Sequence, residues 1–194
     1  MRRLLAALLA AALLGGCSAS KAPQFHATDI TGADYGKDFS LTDQTGKQRT
    51  LADFRGKVVT LFFGYTQCPD VCPTALTTMM QVKKLLGADA DKLQVLFVTV
   101  DPERDTQRLL SEYVPAFDPS FIGLRTDPEK TPAVLKEFHV FAQKQGDVKS
   151  GTYSVDHSAG TYVYDPQGRL RLYVRSGEKP QTIAEDVKLL LRGS

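Results

Sequence analysis

The sequence predicts one α/β domain in which a mixed central sheet is flanked by helices, with a β-hairpin extension at its N-terminal end. Three observations carry this. Residues 57–65 and 93–100 are nearly continuous apolar runs rich in β-branched and aromatic side chains, as expected of strands covered on both faces. Each run is followed by a segment with helical character. Residues 161–165 and 170–175 flank Pro166-Gln167-Gly168 and read as an antiparallel hairpin, after which residues 180–191 carry Ile183, Val187 and Leu190 on one helical face.

Taken in order, residues 39–43 and 48–51 flank the turn-rich Gln44-Thr45-Gly46-Lys47 and predict the first hairpin. Residues 57–65 should form a central strand. Over residues 73–86, Leu76, Met79, Met80 and Leu86 recur at helical spacing, with Pro73 suited to a first helical position and Gly87 to a stop. That spacing assigns Met79 and Met80 to core packing rather than to a metal. Residues 93–100 form the second buried strand, and Asp105 is placed to cap a helix over 106–113. Residues 121–125 are a weaker strand, and Thr131-Pro132 opens a further helix. Strands alternating with helices, then a hairpin and a closing helix, follow the thioredoxin order. In that order the turn after the first central strand lies at the end of the sheet where ligands gather. Cys68 and Cys72 occupy this turn.

The 194 residues suit a single core. At the N-terminus, Arg2-Arg3, the apolar run 4–14 and Gly15-Gly16 before Cys17 read as an export signal. The run is too short to cross a bilayer, which takes roughly 20 residues. Leu14-Gly15-Gly16-Cys17 resembles the bacterial lipoprotein box, in which the Cys is lipidated and anchors the mature chain. The alternative is an ordinary secretory signal with a stray cysteine. The sequence thus divides into a signal peptide at 1–16, a lipidated tether at 17–24 and a globular domain at 25–194, held on the extracytoplasmic (periplasmic) side of a bacterial membrane. Without Arg2 and Arg3 the chain balances 22 basic against 22 acidic residues. A neutral chain with no basic block has no footprint for a phosphate backbone, so nucleic acid is not an expected partner.

With Cys17 lipidated, Cys68 and Cys72 remain as a pair. Each precedes a proline, which disfavours the helical region and predicts a tight loop with Cys72 near a helix N-cap. There the helix dipole would lower its thiol pKa below the free value of roughly 8.5. Such a thiolate serves as a redox-active partner or as a metal ligand. A plain stabilising disulfide and a zinc site are the alternatives, although zinc lacks a convincing fourth ligand. His157 lies in a loop just before the strand at 161–165, and the thioredoxin order packs that loop against the cysteine turn. Two sulfurs and an imidazole would then converge, a donor set that favours copper; the alternative is a hydrogen-bonded surface histidine. His139 reads as packed or half-exposed, and His26 as exposed. Asp101, at the end of the second central strand, and Asp156, beside His157, either orient a ligand or only shape their own turns.

In segments 39–43, 56–57, 64–73, 100–106 and 156–158, which include Gly64-Tyr65-Thr66-Gln67-Cys68-Pro69-Asp70-Val71-Cys72-Pro73, Val100-Asp101-Pro102-Glu103-Arg104-Asp105-Thr106 and Asp156-His157-Ser158, the chain resembles the Sco/SenC family of respiratory copper proteins. The resemblance implies a thioredoxin fold, copper, Cu(I) or Cu(II), bound by Cys68, Cys72 and His157, and a chaperone role in building the binuclear copper centre of cytochrome c oxidase subunit II. A second periplasmic copper chaperone and a thiol reductant are candidate partners, because an oxidising compartment would close Cys68 and Cys72 into a disulfide unless a reductant acts or metal binds promptly. The competing function is a thiol-disulfide oxidoreductase that reduces the cysteines of the oxidase copper site, using Cys68 and Cys72 but not His157. Peroxidase chemistry fits poorly, since Tyr65 stands where peroxiredoxins have a threonine.

Overall fold

The computed structural model describes residues 24–193, so the signal, Cys17 and most of the tether lie outside the described residues. In chain order the strands are β1 (Thr28–Asp29), β2 (Leu41–Asp43), β3 (Gln48–Arg49), β4 (Val58–Gly64), β5 (Leu93–Thr99), β6 (Ile122–Arg125), β7 (Ala142–Asp147), β8 (Thr152–His157), β9 (Thr161–Tyr164) and β10 (Leu170–Val174). The α-helices are α1 (Val71–Leu86), α2 (Gln107–Tyr113), α3 (Thr131–Glu137) and α4 (Pro180–Leu191).

Eight strands form one mixed sheet in the order β1-β10-β9-β4-β5-β6-β2-β3. β4 and β5 run parallel, from Val58 opposite Leu93 to Gly64 opposite Thr99, and every residue of both is buried. Continuous apolar sequence is what a strand covered on both faces requires, so the two runs occupy the middle of the sheet. The β9–β10 hairpin pairs antiparallel with β4, and the β2–β3 hairpin extends the sheet beyond β6. α1 and α4 pack on each other; α1 buries Leu76, Met79, Val82 and Leu86, and α4 buries Ile183, Val187 and Leu190. Each such side chain contributes about 1.5–3 kcal/mol on full burial. α2 approaches β6 closely at Gly123, where an added methyl would lie 3.1 Å from Val114 and 3.2 Å from Leu110.

Several expectations are corrected. The cap of α2 is Thr106, whose hydroxyl accepts from the Leu109 amide at 3.2 Å, not Asp105. Asp105 is buried and turned toward the cysteine loop instead. Met79 is in the core, but its neighbour Met80 is 41% exposed, because α1 turns the next residue through about 100°. His139 is exposed, stacks on Tyr35 and takes a positive φ of 51°. Strands β7 and β8 had no counterpart in the sequence reading. They pair only with each other, as a separate two-stranded sheet, and Val155 is their single buried residue. With so few apolar positions, neither strand shows the alternation that marks a half-buried strand.

Candidate metal centre

β4 and β5 end side by side, and each emits a loop at the same edge: residues 65–70 lead into α1, and residues 100–106 lead into α2. β9 begins beside Phe62, close to the same end of β4, so the turn that joins β8 to β9 arrives there as well. This convergence brings Cys68, Cys72 and His157 together, with one sulfur or ring-nitrogen atom from each lying within 4.8 Å of the others. Two soft donors about 2.3 Å from a common ion sit no more than roughly 4.6 Å apart, so the trio needs only a small approach to share one.

Cys72 is not in the cysteine loop. α1 starts at Val71, with Asp70 as its N-cap residue, and Cys72 belongs to the first turn. Pro73 is tolerated because first-turn amides have no helical acceptor, and the residue four before it precedes the helix. Cys72 is fully buried, and its sulfur lies beneath Gly64; a methyl on Gly64 would come within 2.7 Å of that sulfur. Burial pushes the Cys72 thiol well above the ordinary thiol range, against the expected lowering by the helix end. Desolvation outweighs the lowering hydrogen bond from the Tyr65 backbone, and the nearby Cys68 and Asp105 charges add to the rise. Cys68 behaves oppositely. Burial pushes its thiol up, but hydrogen bonds from the backbone N–H groups of Asp70, Cys72 and Val71, with one from the Cys72 thiol, outweigh it and hold it below the ordinary range. The helix N-terminus therefore acts on the half-buried sulfur just before it. Both cysteines are unbridged.

His157 is the last residue of β8 rather than a loop residue. Its Nδ1 donates to the Ser158 carbonyl at 3.0 Å, since a carbonyl can only accept, and this turns Nε2 toward the sulfurs, 3.5 Å from Cys72 Sγ. Phe62 and Tyr65 meet the ring edge to face. Asp156 does not orient it: neighbouring strand residues point to opposite faces, and Asp156 is exposed. Asp101 touches none of the three donors. Its buried carboxylate accepts from Arg104 Nε at 2.5 Å and from the Tyr153 hydroxyl at 2.8 Å.

Two further residues, Asp105 and Arg104, shape the site, a role that the sequence did not assign to either. Asp105 accepts from the Thr66 amide at 3.1 Å, the Thr66 hydroxyl at 2.6 Å and the Thr99 hydroxyl at 2.6 Å, and so pins the start of the cysteine loop. Arg104 stacks on Tyr153 with 3.5 Å between its guanidinium carbon and the ring centre. Their signal lay in the charged stretch 101–105, which directly follows a buried strand.

A family model described as SCO1/SenC matches residues 27–192. The chain belongs to the SCO1/SenC family. Among Sco relatives, a SCO2-like protein of Rickettsia felis is 36% identical over 154 residues, covering 79% of this chain and 75% of that protein. The mitochondrial SCO2 homolog of Bos taurus is 38% identical over 153 residues, 78% of this chain but only 58% of its own length. Among solved Sco structures, copper-bound ScoI of Bradyrhizobium japonicum is 41% identical with a TM-score of 0.73, covering 81% of this chain and 99% of the other. Copper-bound yeast Sco1 is 30% identical with a TM-score of 0.75, covering 84% and 91%. This likeness bears out the expected thioredoxin-like α/β fold.

Proposed function

We propose that this Sco protein is a copper-binding metallochaperone that holds copper through Cys68, Cys72 and His157 and passes it to the binuclear centre of cytochrome c oxidase subunit II. The observation that carries the reading is the meeting of two sulfurs and an imidazole within 4.8 Å. Thiolate and imidazole suit copper, and two relatives of like fold, 41% and 30% identical, are described as copper-bound. The two thiols divide the work of capture. Cys68, half-buried with its pKa lowered, meets the incoming ion first as a thiolate. Cys72 surrenders its proton as it joins, and His157 closes the set with the Nε2 lone pair. Transfer is ligand exchange, with the partner's donors replacing Cys68 first because it is the more accessible sulfur. Anaerobic titration of the reduced full chain with Cu(I) tests this: one tight equivalent is expected, weakened in His157→Ala, and equal binding by the variant overturns it.

The asymmetry of the thiols favours a second reading, reduction of a partner disulfide. Cys68 thiolate attacks one partner sulfur, forming a mixed disulfide and expelling the other partner sulfur as thiolate. Cys72, losing its proton, then attacks Cys68 Sγ, releases the second partner thiol and leaves the Cys68–Cys72 disulfide, which a thiol reductant must reopen. This route does not need His157, so oxidase assembly that survives His157→Ala would favour it.

In the cell, residues 1–16 direct export and a lipid on Cys17 tethers the domain outside the cytoplasm. No helix among the described residues is long and apolar enough to cross a membrane. Cys17→Ser should shift the protein from the membrane fraction to the soluble one.

A further inference from the structure

The β7–β8 hairpin that ends on His157 shares no strand pairing with the main sheet, and Val155 is its one buried residue. Apolar burial alone fixes its position weakly, yet a working metal site needs its donors held to within about 0.5 Å. Arg104 spans the gap. Its Nε donates to the fully buried Asp101 at 2.5 Å, and its Nη1 donates to the Tyr153 carbonyl at 2.8 Å and to Gln67 Oε1 at 3.2 Å. Its guanidinium stacks on the Tyr153 ring, whose hydroxyl donates to the second oxygen of Asp101 at 2.8 Å. Gln67 adjoins Cys68, and Tyr153 lies on the strand that ends at His157. One planar cation therefore touches both ligand-bearing segments.

We infer that Arg104, seated on Asp101, is a positioning residue that sets the distance between the cysteine loop and His157. The inference rests on the copper reading of the three donors. Arginine suits the task because its rigid fork donates in several in-plane directions while its face stacks on an aromatic ring; a lysine ammonium supplies the charge without that geometry. Asp101 confines the fork to one orientation and neutralises it. Arg104 is not alone at this boundary: Tyr65, at the start of the cysteine loop, hydrogen-bonds the Val155 backbone, while the partly exposed Lys144–Glu103 pair contributes little.

The test uses the reduced full chain in detergent, with Cu(I) affinity measured by competition against a chromogenic chelator. Arg104→Lys should weaken copper binding about 10- to 100-fold, the usual effect of removing a group that orients a ligand. The absorption spectrum of its Cu(II) adduct should move toward that of His157→Ala. In the His157→Ala background, Arg104→Lys should add no further loss. An unchanged affinity in the single variant overturns the inference, and so does an undiminished extra loss in the double variant, which would place the effect on the cysteines. Should Arg104→Lys fold poorly, Tyr153→Phe removes only the hydroxyl bonded to Asp101 and should weaken binding in the same direction by less. Hydrogen exchange on the metal-free protein separates this inference from the copper reading. Faster exchange across residues 152–157 in Arg104→Lys, with β4 and β5 unchanged, supports the clamp, and identical exchange overturns it whatever the copper result. A wild-type chain that binds no copper defeats the copper reading even where the exchange result stands.

Discussion

Cys72 Sγ lies 3.5 Å from His157 Nε2, although 85 residues separate them in sequence. Burial keeps the thiol protonated, and the ring nitrogen presents its lone pair, so the metal-free site holds a proton where the ion would sit. Metal binding must expel that proton.

The proton has a measurable consequence. Cys68 is held below the ordinary thiol range and Cys72 above it, so between their two pKa values copper displaces about one proton, from Cys72. The thiol contribution to affinity should then rise about tenfold per pH unit, and more steeply below the Cys68 pKa, where both thiols lose a proton. Competition titrations from pH 6 to 9 read the slope; a flat profile would mean that Cys72 is already ionised or does not bind.

The same asymmetry predicts alkylation order. In the reduced, metal-free protein iodoacetamide should modify Cys68 quickly and Cys72 only on local opening, because the thiolate reacts and Cys72 is both protonated and buried. Peptide mass spectrometry over a time course distinguishes the two sites, and equal rates would contradict the assignment.

Gly64→Ala should damage the site without touching a donor. The new methyl would meet Cys72 Sγ at 2.7 Å, Phe62 at 2.8 Å and Phe97 at 2.9 Å, all packed side chains. Overpacking of this kind costs about 1–3 kcal/mol, measurable by urea unfolding, and displacement of the sulfur should weaken copper binding as well.

Asp105→Ala leaves the Thr66 and Thr99 hydroxyls without their acceptor. A loss of about 1–3 kcal/mol in unfolding free energy is expected for stranded buried donors, together with looser binding of copper as the loop before Cys68 is freed. Wild-type stability in this variant would show that water replaces the carboxylate at no cost.

Acid stability tests the hairpin at the sheet edge. Burial would push the Asp43 carboxyl up, but the Thr45 hydroxyl, the Arg49 guanidinium and the Thr45 and Lys47 amides outweigh it and bring it down to about 2. Because the folded value lies below the unfolded one, near 3.9, the stabilisation is complete above about pH 5, declines below that and disappears as pH falls through 2. Asp43→Asn should therefore cost on the order of 2 kcal/mol at pH 7 and little near pH 2, read by urea unfolding at both.

The sequence by itself determined the two central strands, the helices that follow them and the closing hairpin and helix, because dense apolar runs and helical periodicity are local patterns with a single stable burial. It also singled out Cys68, Cys72 and His157, since sulfur and imidazole stand out by chemistry. Only the tertiary structure decided the character of each. Cys72 went into the first turn of α1 and under Gly64, where desolvation reverses the pKa shift that the helix end alone would produce. His157 was set at the end of a hairpin whose sparse apolar residues leave no periodic trace, and its Nε2 was aimed by the Ser158 carbonyl instead of by Asp156. The grip of Arg104 on Gln67 and Tyr153, and of Asp105 on Thr66, joins residues 37 to 49 positions apart. Contacts of that span come into being only when the chain folds, because they depend on where separate loops meet and not on any pattern within one of them.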